Sequence, residues 1–542
     1  MFIFSSFVYY KSILTNKNNE KMTTKTATTQ QKKCVQALTI ITLSIIIISG
    51  CGDSSDMASD SSYYNQKNSS GSYDKNSSYE RSYDNKSYNN NRQEIKVEIE
   101  KYKDYGENIF LPTIENKIST FSVDADGASY ANMRRFQHIG QNPPKESVRI
   151  EEYINYFTYD YENPTNGDMI SLNSEISTCP WNDKNHLLRV GIKGIELEEN
   201  SLPSSNYVFL IDVSGSMSSP EKLDVLKKGF KLMTDNLNDN DKVSIVTYAG
   251  NAAVLLETAY GDDKRKIYNA IDQLGAGGST AGAAGISTAY NIALNNFIEG
   301  GNNRIILCTD GDFNVGPSSD EELVNLIEEK RESGVYLTVV GVGTGNLNDQ
   351  MMEQLANKGN GNYEYIDNYK QLEKVFVKEK SKFYTVATDC KIQLVFNQNK
   401  VESYRLIGYE NRSLNTEDFV DDKKDAGEIG SNQTITAVYE VVLKNNDLKE
   451  EYASFDVRYK RPNEETSELL STTIDSDPVN IQKSSEDMKF LSSVVGFGLL
   501  MKDSEYKGSV SKEMLVELAV NSNSSDPNGY KQEFISLLKD SN

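Results

Sequence analysis

Between residues 206 and 380 the chain alternates two apolar patterns. Short unbroken apolar runs (NYVFLID, KVSIVTYA, RIILCTD, VYLTVVGVG and YEYID) are separated by longer stretches with helical spacing. In EKLDVLKKGFKLMTDNL, Leu223, Leu226, Phe230, Met233 and Leu237 fall on one helical face. Ser219-Pro220 offers an N-cap followed by a proline at the first helical position. Further helices are predicted around 264–274, from about 281, from 320, near 348–357 and after YEYID. Wholly apolar strands alternating with helices predict an α/β domain with a doubly wound, mostly parallel open sheet covered on both faces.

The pattern changes on either side. TFSVDADGASYANMRRF reads as strand, turn and helix, KESVRIEEYINYF as an amphipathic helix, and ISLNSEIST and HLLRVGIKGI as strands. After the α/β block, KIQLVFN, YRLIGYE, TITAVYEVVL and YASFDVRYK are strand-like, and MKFLSSVVGFGLLM, KEMLVELAV and YKQEFISLL are helical. The run SSVVGFGLLM is too short to cross a bilayer and reads as a buried helix. Strands from the two flanks are expected to pair into one β-rich module that brackets the α/β domain. Asp124-Ala125-Asp126-Gly127 opens like a calcium loop. It lacks the later oxygen ligands and the closing glutamate, so turn and cap chemistry is favoured.

The N-terminus points to export. Lys32 and Lys33 precede an apolar run, Ala37 to Ile48, and then Ser49-Gly50-Cys51. A basic region, a short apolar region and small residues make a secretory signal, and the run is too short for a membrane span. Ile48-Ser49-Gly50-Cys51 resembles the bacterial lipobox, whose cysteine is lipidated and becomes the mature N-terminus. The signal begins naturally at Met22, with residues 1–21 upstream of it. From Gly52 to about Arg92 the chain is Ser, Asn, Tyr, Asp and Lys with almost no aliphatic residues, which suits a solvated tether rather than a fold. The expected plan is signal peptide 1–50, lipid-anchored tether 51–114, N-terminal flank 115–205, α/β domain 206–380 and C-terminal β-rich and helical flank 381–542. Such a protein would sit outside the cytoplasm on the cell envelope. Gly52 after Cys51 looks like an outer-membrane sorting signal in a two-membrane bacterium. In an oxidising envelope Cys179 and Cys390 could pair or stay as two free thiols, while Cys308 reads as a buried strand residue.

Charge narrows the partners. Asp and Glu total 79 against 57 Lys and Arg, a net −22, which argues against a nucleic-acid partner. An acidic ligand would need a local site, because the global field does not steer it in.

The candidate chemistry follows from strand ends, where open α/β sheets hold their ligands. Asp212, Ser214 and Ser216 follow NYVFLI, Asp310 follows RIILCT, and Thr280 lies in the glycine-rich loop GAGGSTAG. These are hard oxygen donors, suited to Mg²⁺, Mn²⁺ or Ca²⁺ and poor for zinc or copper. Two carboxylates balance a divalent ion, and few protein ligands leave positions for water and a ligand oxygen, as at magnesium sites. The glycines allow the Thr280 loop to approach closely.

With these residues in order, 206–380 resembles a von Willebrand factor type A domain with a metal-ion-dependent adhesion site. Asp212, Ser214, Ser216, Thr280 and Asp310 match its five positions. The resemblance implies a divalent cation, Mg²⁺ foremost, whose shell is completed by a Glu or Asp carboxylate of a partner protein. STFSVDADGASYANMRRF, VRIEEYINYF, CPWNDKNHLLRVGIKG, AGGSTAGAAG, TDGDFNVG, GNGNYEYID, YRLIGYENR, RYKRP, VVGFGLL and DPNGYKQEF extend it. Together they are similar to a family of bacterial type A lipoproteins with dedicated flanking segments.

Three functional classes stand against one another. The complete five-residue set and export favour a tethered, cation-dependent binding module. An envelope scaffold whose loops are braced by the metal is the alternative, since Ser and Asp are common in turns and Thr280 could cap a helix. An enzyme is disfavoured. The chain has only His138 and His186, with no H-E-x-x-H, no P-loop and no G-x-S-x-G elbow, although Asp212 and Asp310 could in principle activate a metal-bound water.

Overall fold

The computed structural model describes residues 100–541, apart from 199–200, 279–281, 312–319 and 447. All of these lie within one compact unit, Arg92–Asn542. The signal, Cys51 and most of the tether fall outside the described residues.

The N-terminal flank supplies β1 (Leu111–Pro112), β2 (Ile118–Ser122), α1 (Ala128–His138), α2 (Ile150–Asn155), β3 (Ile170–Thr178) and β4 (His186–Gly194). The α/β block runs β5 (Ser205–Asp212), α3 (Val225–Asp235), β6 (Lys242–Ala249), β7 (Asn251–Tyr260), α4 (Lys264–Asp272), α5 (Gly282–Asn295), β8 (Asn302–Thr309), α6 (Asp320–Arg331), β9 (Tyr336–Val342), α7 (Asp349–Lys358), β10 (Tyr363–Ile366) and α8 (Tyr369–Glu373). The C-terminal flank adds β11 (Thr385–Phe396), β12 (Val401–Ile407), β13 (Gly427–Gly430), β14 (Thr434–Leu443), β15 (Ala453–Lys460), β16 (Glu468–Ile474), α9 (Glu486–Lys502), α10 (Lys512–Val520) and α11 (Tyr530–Asp540).

The central sheet has the order β10-β9-β8-β5-β6-β7, parallel except for the antiparallel edge strand β7. Its strands are apolar on both sides because both sides are covered. Val208 and Leu210 pack with α5, α6 and α7, while Tyr207, Phe209 and Ile211 pack with α3, α4 and α8. Leu223, Leu226, Phe230, Met233 and Leu237 all join the second of these layers. Ser219 gives no side-chain cap. Pro220 does open the helical segment, but as a π turn, Pro220–Asp224, ahead of α3.

The flanks do pair with each other. One sheet has the order β1-β12-β14-β4-β3, with β14 antiparallel to β4 from Thr434↔Lys193 to Val441↔His186. The other, β13-β11-β15-β16, takes β2 onto β11. The two sheets enclose a shared core of Phe121, Leu188, Val190, Leu394, Tyr439 and Phe455 among others. A second core gathers α1, α2, α9, α10 and α11 around Trp181. The run within α9 is buried, as expected, and no helix among the described residues is long and apolar enough to cross a membrane. Cys179 and Cys390 are free and lie in these two different cores.

KESVRIEEYINYF is not one amphipathic helix. It breaks into a single 3-10 turn, Lys145–Ser147, extended residues at Val148 and Arg149, and the six-residue α2. Both faces of α2 are buried, so its carboxylates have no solvent side: Glu151 is 1% and Glu152 0% exposed. Glu151 Oε2 has no hydrogen-bond partner and packs where a Cβ on Gly408 (φ +77°) would come within 2.5 Å of it. Burial, with help from Glu410 and Asp124 and against Lys502, pushes this carboxyl up to about 8. Its stabilising contribution as a neutral acid is therefore complete below its ordinary value of 4.5 and is lost as pH rises towards 8. Glu151→Gln should flatten that decline and be more stable at pH 8 by roughly 2–4 kcal/mol. Urea unfolding at pH 5 and pH 8 checks this, and equal pH slopes in the two proteins would refute it.

Candidate metal centre

The central chain runs from β5 outward to β6 and β7, then returns to β8 on the other side of β5 and continues to β9 and β10. The direction of winding thus reverses between β5 and β8, the place where open α/β sheets form a crevice at their carboxyl ends. Asp212 ends β5, and Asp310 follows β8 directly.

Both aspartates are fully buried. Asp212 Oδ1 accepts the Ser214 amide at 2.8 Å, and Oδ2 accepts the Thr309 hydroxyl at 3.2 Å. Ser214 Oγ stands 2.9 Å from Ser216 Oγ, and Ser216 lies close enough to Asp310 to help hold its carboxyl down. Asp212, Ser214, Ser216 and Asp310 therefore converge on one point of the sheet edge. Thr280 lies outside the described residues. The two glycines ahead of it are pinned to the turn: Gly215 N donates to the Gly278 carbonyl at 3.1 Å, and Gly277 N donates to the Val213 carbonyl at 2.7 Å. Gly278 has φ +97°, a conformation that side-chain-bearing residues avoid.

The two carboxylates sit in different fields. Burial pushes Asp212 up to about 6, with the Asp310 charge adding to the rise and the Ser214 and Thr309 bonds opposing it. Burial acts on Asp310 in the same direction, but the bond and charge of Lys222, with the Asn346 amide nearby, outweigh it and hold Asp310 below its ordinary value. Lys222 Nζ donates to Asp310 Oδ2 at 2.9 Å and to Asn346 Oδ1 at 3.1 Å, with its side chain 8% exposed.

This donor set fits a hard divalent ion. Asp212 is a buried carboxylate bonded to one amide and one hydroxyl, and a buried carboxylate of this kind favours a nearby cation. Asp212, Ser214, Ser216 and Asp310 would hold the ion through oxygen. Among the described residues no group of three or more His, Cys, Asp or Glu side chains gathers to hold a metal. The site is instead rich in hydroxyls.

Sequence reading missed the supports of this site. Lys222 is one. Another is the loop 343–348 between β9 and α7, packed so closely on Gly311 (φ +92°) that a Cβ there would lie 2.3 Å from Asn348 N. The chain expected to be tether over 51–114 is docked from Glu100 onward, because it has partners here and in the β module. Lys101 N donates to Leu347 O at 2.8 Å, and Gly345 N to Glu100 Oε1 at 2.9 Å. Arg135 of α1 grips Glu100 with bonds of 2.8 and 2.7 Å, and β1 pairs with β12.

Buried arginines join the flanks to the central domain. Arg134 holds Asp367 through Nε at 2.7 Å and Nη2 at 2.6 Å. Arg149 binds Glu152 and, through both terminal nitrogens, Asp349, with Glu353 at 3.8 Å. Arg412 takes Asp124 at 2.7 Å and Asp126 at 3.5 Å in the N-terminal flank, and reaches the central domain through Asn357 at 2.7 Å. The DADG segment is thus a turn, with Asp126 N on Asp124 Oδ1 at 3.0 Å, that also anchors an arginine. A cleft at this junction, lined by Tyr105, Asp124, Asp126, Glu353, Arg412 and Glu428 among others, includes none of Asp212, Ser214, Ser216 and Asp310.

Three family models match the chain. Residues 206–378 match the von Willebrand factor type A domain, residues 96–189 match von Willebrand factor, and residues 381–542 match the C-terminal part of uncharacterized protein YfbK. The uncharacterized protein YfbK of Escherichia coli (strain K12) is 38% identical over 465 residues, covering 81% of this chain and 80% of that protein. A UPF0353 protein of Mycolicibacterium gilvum (strain PYR-GCK) is 26% identical over 212 residues, covering 34% of this chain and 63% of that one. Among solved structures, a von Willebrand factor type A protein from Catenulispora acidiphila aligns with TM-score 0.43 at 14% identity, over 69% of this chain and 91% of that chain. With all three segments matched in order and most of both chains aligned, the protein belongs to the YfbK family of von Willebrand factor type A domain proteins.

Proposed function

We propose that this protein is a divalent-cation-dependent protein-binding module of the cell envelope, lipid-anchored at Cys51. Asp212, Ser214, Ser216, Thr280 and Asp310 hold the ion, Mg²⁺ in the first place and Mn²⁺ or Ca²⁺ by the same donor chemistry. A Glu or Asp of the partner protein fills an open position on it. When bound, the ion supplies an electrophilic centre for that carboxylate. The chain's own residues orient it: the Ser214 amide fixes Asp212, the paired hydroxyls set the spacing, and Lys222 fixes Asp310.

One observation carries this reading. Asp212 is a fully buried carboxylate at the winding reversal of the sheet, bonded to the Ser214 amide and the Thr309 hydroxyl. The test is calorimetric titration of the purified chain with MgCl₂, MnCl₂ and CaCl₂, followed by capture of envelope proteins in Mg²⁺ and in EDTA. Saturable 1:1 binding of at least one ion and EDTA-sensitive capture are expected. Thermal silence with all three ions, together with capture indifferent to EDTA, would sink the proposal.

A further inference from the structure

We propose that Lys222 sets the charge of the metal site, so that the loaded site accepts a single incoming carboxylate. This rests on the cation reading above. Its ammonium lies 2.9 Å from Asp310 Oδ2, and both side chains are buried. The contact is built into the fold. Lys222 comes from the π turn that Pro220 opens, and its methylenes run past Gly343. A Cβ on Gly343 would lie 2.2 Å from Lys222 Cε and 2.5 Å from Cγ, so the backbone there leaves space for this side chain and no more. Asn346, on the same loop, takes a second ammonium hydrogen at 3.1 Å.

The consequence is a matter of charge. Asp212 and Asp310 alone neutralise a divalent ion, and a third carboxylate would then bring an uncompensated negative charge into a buried site, which is costly. With Lys222 in place the ion-loaded site carries one net positive charge, and one partner carboxylate brings it to neutrality. The same lysine repels the ion when no carboxylate is present. Lys222 thereby weakens binding of the bare ion and strengthens the ion's grip on an acidic side chain, coupling the two binding events.

The test uses Lys222→Met, which keeps the apolar stem, and Lys222→Gln, which keeps a hydrogen-bond donor should the first variant fold poorly. Mn²⁺ is titrated into each protein, with and without sodium acetate as a carboxylate probe and acetamide as the neutral control. Both variants should bind Mn²⁺ alone at least about tenfold tighter than wild type, the floor set by a unit charge and a divalent ion a few ångströms apart even at the dielectric of water. Acetate, and not acetamide, should tighten Mn²⁺ binding to wild type and lose that effect in the variants. Wild type that binds Mn²⁺ beside variants that bind it equally or more weakly would overturn the role of Lys222 and leave the cation site standing. Tighter Mn²⁺ binding with an undiminished acetate effect would overturn the coupling to the carboxylate. No Mn²⁺ binding by any of the three proteins would remove the cation reading itself, and the proposal with it.

Discussion

Asp212→Ala should abolish divalent-cation binding, by at least 100-fold on the scale of losing a directly bound charged ligand, while the protein stays folded. The asymmetry comes from where the residue sits. Asp212 is fully buried, and its bonds run to the Ser214 amide in its own turn and to the Thr309 hydroxyl at the end of the neighbouring β8. The alanine loses those bonds but also loses a buried carboxylate, and the two effects oppose each other. In metal-free buffer the variant should therefore melt within about 1 kcal/mol of wild type. The core beneath the site, Val208, Leu210, Phe209 and Ile211, is untouched. Calorimetry for the ion and thermal unfolding in EDTA measure the two halves separately. A variant that unfolds, or one that still titrates with Mn²⁺, would show Asp212 to be a structural turn residue.

Arg149→Met should have the opposite profile, with a large loss of stability. Arg149 is 3% exposed and holds Glu152, Asp349 and Glu353, which are each 0–1% exposed. Removing the guanidinium takes the shared cation from three buried carboxylates, leaving Glu152 the Ser129 amide and Glu353 the Asn411 amide, the Tyr105 hydroxyl and the Arg412 charge. Breaking a buried ion pair costs about 3–5 kcal/mol because the remaining charge is left uncompensated. Protons can relieve part of this, and burial already holds Glu152 and Glu353 above their ordinary values, so the loss should be smaller at pH 5 than at pH 8. Urea unfolding at the two pH values reads both effects. A loss below about 1 kcal/mol at pH 8 would mean that the junction between α2 and α7 is not where the flank is fastened.

Much of the central domain was visible in the chain because its strands are buried on both faces. Such strands give unbroken apolar runs, and FLID and RIILC are of this kind. The edge strand β7 escaped for the complementary reason. NAAVLLETAY has one face in solvent, with Val254 43% exposed, and its pairing with β6 is irregular, so neither a continuous run nor a clean alternation is left to read. The short strand β13, GEIG, carries a single isoleucine. At the candidate site, Asp212, Ser214, Ser216 and Asp310 stood out by their spacing at strand ends. Lys222 did not, because a lysine in a polar turn has no sequence mark that distinguishes a buried ammonium from a solvated one. Its role depends on Gly343 and Asn346, some 120 residues on, and only the fold brings them within reach. The same holds for Arg134, Arg149 and Arg412, whose partners are distant in sequence.

The interleaving of the flanks also sets an order of events in time. β4 lies between β3 and β14, and Asn155 bonds to Thr436 across a separation of 281 residues. During synthesis the N-terminal flank therefore emerges long before the strand that completes its sheet, and β4 presents an unpaired edge until residue 443 is available. The α/β domain has all six of its strands in hand by Ile366 and suffers no such delay. Contacts that close so large a loop form slowly and late, so the α/β domain is the part able to fold first and hold the two halves of the β module close enough to find each other.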